Sequence, residues 1–122
     1  MSARPNLTTS GWLVACRLDD IVPNTGVCAL LGERQVAVFR LDDDRVYALD
    51  NHDPFSRANV LSRGIVGDLN GELVVASPVY KQHFSLASGR CVEDPSVRLQ
   101  VYPTSREGEL IWVRGDPMRH VD

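Results

Sequence analysis

Apolar and polar positions alternate along this chain in short bursts separated by turn residues, and no stretch sustains the 3.6-residue period of a long amphipathic helix. Residues 12–16 (Trp-Leu-Val-Ala-Cys) read as a first strand, and 18–23 as a turn or a single helical turn. Residues 27–31 and 35–41 read as a hairpin around Gly32-Glu33-Arg34. Asp42-Asp43-Asp44 is a tight turn, and the strand at 45–49 sends Val46 and Ala48 to one face, Tyr47 and Leu49 to the other. Residues 65–68 and 72–76 flank Asn70-Gly71 as another hairpin, and 83–86 lead into Ser88-Gly89. The cleanest alternation is at 97–102, with Val97, Leu99 and Val101 on one face and Arg98, Gln100 and Tyr102 on the other. It predicts a half-buried antiparallel strand. After Pro103 and the Glu107-Gly108 turn, residues 109–113 form the last strand. The whole pattern predicts an all-β antiparallel sandwich or barrel of about nine or ten strands.

Two stretches break this rhythm. Residues 50–64 are rich in Asn, Asp, Ser and Arg with no sustained period, and residues 77–82 contain Pro78. Both read as loops, and long ordered loops in small domains tend to carry function.

At 122 residues the chain fits one domain, which can bury about two-thirds of its unfolded surface. Residues 11–113 are expected to form it, with polar, flexible ends at 1–10 and 114–122. A hydrophobic content of 43% with 24% charged residues excludes the disordered and fibrous classes. Thirteen Lys and Arg against sixteen Asp and Glu, net −3, argue against a phosphate-binding surface, so no nucleic-acid partner is expected. No apolar run approaches the ~20 residues of a membrane span, and the first ten residues lack the apolar core of a secretory signal. Three cysteines without a C-x-x-C pair suit neither a disulfide framework nor a zinc knuckle, and the expected location is the cytoplasm.

Catalytic patterns are missing. No Gly-x-Ser-x-Gly elbow and no Gly-x-Gly-x-x-Gly loop occurs, and the acidic runs Asp19-Asp20 and Asp42-Asp43-Asp44 read as solvated turns. No residue set supports catalysis by the chain alone.

A series of phrases then appears in order. Val46-Tyr47-Ala48-Leu49-Asp50-Asn51 ends a strand, Leu61-Ser62-Arg63-Gly64 follows the first loop, and Ser77-Pro78-Val79-Tyr80 opens the second. Phe84-Ser85-Leu86-Ala87-Ser88-Gly89 closes the series. In this order they resemble a Rieske-type iron–sulfur domain, a likeness extending over residues 11–113. Such a domain holds its cluster with two Cys and two His. Alignment of the loops puts Asp53 and Ser77 at the Cys positions and Phe55 and Tyr80 at the His positions, with Pro54 and Pro78 retained. None of the four is the thiolate or imidazole such a cluster requires.

Among Rieske-like proteins the chain most resembles the small-subunit family of assimilatory NAD(P)H-dependent nitrite reductases. The shared features are a free-standing domain, absent ligands in an intact frame, and loops reading Asp50-Asn51-His52-Asp53-Pro54-Phe55-Ser56 and Ser77-Pro78-Val79-Tyr80-Lys81-Gln82-His83-Phe84. This resemblance implies a large partner subunit carrying FAD, an iron–sulfur cluster and siroheme, where nitrite becomes ammonium. The chain itself would bind no cofactor and assist without a redox centre. Two other readings stand beside it: a ferredoxin passing electrons to an oxygenase, which would need the missing cluster, and a Rieske-fold interaction module with an unrelated partner.

Two expectations about the loops follow. Phe55 and Tyr80 are expected to fill the space a cluster would occupy, both packed between the loops. His52, Arg57, Arg63, Lys81 and His83, with Asn59 and Gln82, are the expected contacts for the large subunit. His52, Asp53 and His83 are also the nearest approach to a mononuclear metal set, although loop histidines are more often hydrogen-bonded or solvated.

Overall fold

The apolar bursts become twelve short strands in the computed structural model, which describes residues 11–115. They are β1 (Trp12–Arg17), β2 (Thr25–Leu31), β3 (Arg34–Arg40), β4 (Val46–Asp50), β5 (His52–Asp53) and β6 (Ala58–Asn59). Then come β7 (Ile65–Leu69), β8 (Glu72–Ala76), β9 (His83–Ser85), β10 (Val101–Tyr102), β11 (Thr104–Glu107) and β12 (Leu110–Arg114). Single 3-10 turns lie at Leu18–Asp20 and Leu61–Arg63. Every pairing is antiparallel, in sheets ordered β1-β12-β11, β10-β4-β3-β2, β5-β6 and β7-β8-β9.

The alternation expected in β4 is present, and both of its faces pack on apolar cores. Val46 and Ala48 turn, with Val36 and Val38 of β3, into a core shared with Leu18, Ile21, Ile111 and Val113. Tyr47 and Leu49 turn, with Ala37 and Phe39, into a second core with Leu61, Val75, Phe84, Leu86 and Leu99. The sheet of β3 and β4 is therefore a middle layer, with β1-β12-β11 across one face and β7-β8-β9 across the other. The second core supports the loops that resemble a cluster site.

The segment 97–102 departs from expectation. Only Val101 and Tyr102 form a strand, paired with Leu49 and Ala48 of β4. Asp50 N–H, at the end of β4, still donates to Gln100 O at 3.0 Å, but the backbone before it is held by residues 89–91: Leu99 N–H donates to Gly89 O at 2.8 Å and Cys91 N–H to Val97 O at 2.9 Å. Tyr102, expected to face outward, is buried in the first core. Its hydroxyl donates to Asp50 Oδ1 at 2.5 Å and accepts from Arg34 Nη1 at 3.1 Å. Burial first, and then the hydrogen bond to Asp50, push its pKa up to about 12.

β11 was not foreseen; it supplies the partner that completes the outer sheet on β12. Arg114, assigned by its sequence to the tail, closes β12 opposite Trp12, and Gly115 N–H donates to Gly11 O at 2.7 Å. Residues 1–10 and 116–122, for which flexibility was expected, lie outside the described residues. Among the described residues, no helix is long and apolar enough to cross a membrane.

Candidate functional site

Residues 50–64, expected to be an open loop, are short ordered pieces. β5 and β6 form a two-residue ribbon pairing His52 with Asn59 and Asp53 with Ala58. The turn between them takes Arg57 to φ 62° and is closed by its N–H on Asp53 O at 2.7 Å. The segment lacks a hydrophobic period because, Leu61 aside, its buried residues are the polar Asn51, Asp53 and Ser62. Asn51, 1% exposed, fastens it to β3. Its Nδ2 donates to Gln35 Oε1 and to Asn59 O, both at 3.1 Å, and its Oδ1 accepts from Ser62 N–H at 2.7 Å. The sequence reading missed this role; its one signal was an Asn closing the strand phrase, a side chain able to donate and accept at once.

The second loop is built around Ser77. Its N–H donates to Gln82 O at 2.9 Å, its carbonyl accepts from Lys81 N–H at 3.1 Å, and its Oγ accepts from Val79 N–H at 3.3 Å. Lys81 adopts φ 68° to complete the turn.

The two loops meet at Asp53 and Ser77, the residues that the sequence likeness aligns with the Cys positions. Ser77 Oγ donates to Asp53 Oδ2 at 2.5 Å, and both residues are 0% exposed. Asp53 also accepts Ser56 Oγ at 3.0 Å on Oδ2 and Phe55 N–H at 2.9 Å on Oδ1. Burial alone would raise the pKa of this carboxyl; the hydrogen bonds from Ser77, Phe55 and Ser56 outweigh it, and the net shift is downward. A carboxylate bonded to a hydroxyl thus joins the two loops.

Phe55 and Tyr80, expected at the His positions, behave differently from each other. Phe55 is half-buried on the second core, its ring tilted 42° to Phe84 with centroids 6.1 Å apart. Tyr80 is 61% exposed, which overturns the expectation that it fills the space between the loops. The short Ser77–Asp53 hydrogen bond already closes the loops there, and the turn at Lys81 carries Tyr80 outward.

The cluster does not fit this donor set. Asp53 is fully engaged by three donors, Ser77 is a hydroxyl, Phe55 has no donor atom, and Tyr80 faces solvent. Of the thiols, Cys16 and Cys28 lie on β1 and β2, and Cys91 is buried in the second core.

His52, Asp53 and His83 are not brought together as a metal set. His52 Nδ1 lies 3.1 Å from Asn59 Oδ1, and His83 Nδ1 lies 2.6 Å from Glu93 Oε2, with His83 N–H donating to Glu93 Oε1 at 2.8 Å. Glu93 was not singled out from the sequence. Burial opposes its charge, but the His83 contacts prevail and its pKa is lowered. No group of three metal-ligating side chains occurs among the described residues. Of the expected partner contacts, His52, Arg57, Asn59, Arg63 and Lys81 are exposed, while Gln82 and His83 are half-buried.

A two-loop end built on three antiparallel layers defines a Rieske-like protein, and residues 11–114 match the family described as the Rieske-like [2Fe-2S] domain. The nitrite reductase (NADH) small subunit of Escherichia coli K12 is 47% identical over 107 residues, covering 87% of this chain and 99% of that protein. The NMR structure of the E. coli protein NirD superposes with a TM-score of 0.80 at 46% identity, covering 86% of this chain and 96% of that one. The chain belongs to the family of nitrite reductase small subunits. A third relative is arranged differently. A Klebsiella oxytoca protein named nitrite reductase [NAD(P)H] large subunit is 46% identical over 109 residues, which cover 89% of this chain but 11% of that polypeptide.

Proposed function

We propose that the chain is the non-catalytic small subunit of an assimilatory NAD(P)H-dependent nitrite reductase, acting in the cytoplasm. It assists a large subunit in which FAD, an iron–sulfur cluster and siroheme carry electrons to nitrite and yield ammonium. The observation that carries this reading is the Asp53–Ser77 hydrogen bond. It replaces the two thiolates of a cluster site while keeping both loops in place, so the fold persists without a redox centre. The ferredoxin alternative is disfavoured on the same ground, because electron transfer would need a centre these residues cannot hold. Contact with the large subunit is assigned to the loop end, where His52, Arg57, Arg63 and Lys81 stand exposed and His83 stands beside them.

The test has two readouts. Iron and acid-labile sulfide, measured per chain after anaerobic expression with iron supplied, should fall far below one cluster. Nitrite-dependent NAD(P)H oxidation by the purified large subunit should rise when the chain is added. A stoichiometric cluster, or a large subunit indifferent to the chain, would overturn the proposal.

A further inference from the structure

Seven large apolar side chains are exposed among the described residues, and four gather at one end of the β7-β8-β9 sheet. They are Ile65 (71% exposed), Val79 (45%), Tyr80 (61%) and Val92 (40%). Register explains their proximity. Ile65 lies opposite Ala76, and Ala76 opposite His83. The bridge between Phe84 and Cys91, with Val92 N–H donating to His83 O at 2.8 Å, sets Val92 opposite His83. Directly opposed residues share a face of the sheet. Val66, Val75 and Phe84 face the second core, so Ile65, Ala76, His83 and Val92 form a row on the other face. The loop bearing Val79 and Tyr80 leaves β8 just beyond Ala76.

Single exposed apolar residues are ordinary. A group drawn from three segments, with a tyrosine among its members, Arg63 and Lys81 beside it in the chain and the Glu93–His83 pair next to Val92, has the make-up of an interface core with its rim. We propose that this patch, with Tyr80 as its aromatic anchor, is the surface on which the chain docks to the large polypeptide of a nitrite reductase. The inference rests on the small-subunit reading above and adds the apolar contact that the polar loop residues do not supply.

Two observations choose the occupant. In the Klebsiella relative, a domain 46% identical to this chain is built into the large polypeptide itself, and a 32% identical stretch makes up 9% of a nitrite reductase of Emericella nidulans. A tethered domain is held near its neighbour by the chain, whereas a separate subunit must hold its place through contact area alone. The second observation is charge. The protein carries net −3, yet Arg57, Arg63 and Lys81 stand exposed at this end, and none belongs to an ion pair among the described residues. The matching surface is therefore an apolar pocket with carboxylates at its edge.

Calorimetric titration of the full chain into its purified large subunit tests the proposal. The double variant I65S/Y80A should raise Kd at least tenfold with an unchanged thermal midpoint. Leu30→Ser, on β2 and 69% exposed, should leave Kd as it was. If I65S/Y80A binds within twofold of wild type, the patch is not the docking surface, while the small-subunit reading stands. If wild type itself does not bind, that reading fails. Should I65S/Y80A lower the midpoint, Val79→Ser takes its place, with at least threefold weaker binding expected and unchanged binding overturning the patch.

Discussion

Asp53 is buried and holds three donors, of which Ser77 is buried with it, so removing either member of that pair leaves an unmatched group in the interior. Ser77→Ala takes away one donor and should cost about 1.5–3 kcal/mol, the range for a hydrogen bond to a charged group. Asp53→Ala strands all three donors and should cost more. Their double-mutant cycle should be non-additive, as measured by urea unfolding. The pH dependence has a definite sign. The folded pKa of Asp53 lies below its ordinary value, so its contribution to stability is complete above pH about 4 and lost as pH falls through the folded value. Asp53→Asn should flatten the acid limb of the stability profile relative to wild type. The two aromatics at the other former ligand positions should part company. Full truncation of a buried Phe costs about 3–5 kcal/mol, so half-buried Phe55→Ala should cost about half of that. Tyr80→Ala should stay within about 0.5 kcal/mol of wild type.

At the scale of elements, the Leu61-Ser62-Arg63-Gly64 turn depends on a close approach of backbone. A Cβ on Gly64 would lie 2.4 Å from Ala76 O and 2.7 Å from Val75 Cγ2, while one on Gly67, three residues on in β7, would meet nothing within 4 Å. Gly64→Ala should therefore destabilise by about 1–3 kcal/mol or more, and Gly67→Ala by less than about 0.5 kcal/mol, compared in one chemical denaturation series. The hairpins were legible because period-two alternation and turn residues such as Asn70-Gly71 are local signals. The segment 97–102 was misread because alternation reports which side chains face alternate ways, not which backbone pairs with them; β4 ends at Asp50, and before that point only the turn segment at 89–91 meets the chain. The ribbon at 52–59 was invisible because polar side chains, Asn51 and Asp53 above all, do the work that apolar periodicity usually advertises. The positions of the two loops could be read from phrase order. The bond replacing the ligands could not, since Asp53 and Ser77 are 24 residues apart and neither type announces a partner.

The whole molecule is two cores divided by one sheet, and the two should melt together because β3 and β4 contribute to both. Both tryptophans, Trp12 and Trp112, lie in the β1-β12-β11 layer, so their fluorescence reports on one side of the molecule. Phe84→Ala empties space in the opposite core and should cost about 3–5 kcal/mol. The tryptophan transition and the far-UV circular dichroism transition should shift equally and coincide. A dichroism transition that moved while tryptophan fluorescence did not would show that the cores unfold separately.

The apolar residues on both faces of β3 have a consequence for how the chain finds its pairing. In a sheet with one wet face, a strand displaced by a single residue is rejected because it turns its oily side to water. A β3 displaced by one residue would exchange one dry layer for another along Val36–Phe39, setting Phe39 into the space cut for Val38 and Arg40 into that of Phe39. The charge of Arg40 resists this at the strand's end, but along Val36–Phe39 solvent cannot correct the error. Correction is left to side-chain size and to the turns at either end, where Gly32 and Asp44 hold φ of 67° and 69°. The alignment of the most deeply buried strand in the molecule is thus decided at its two outermost corners.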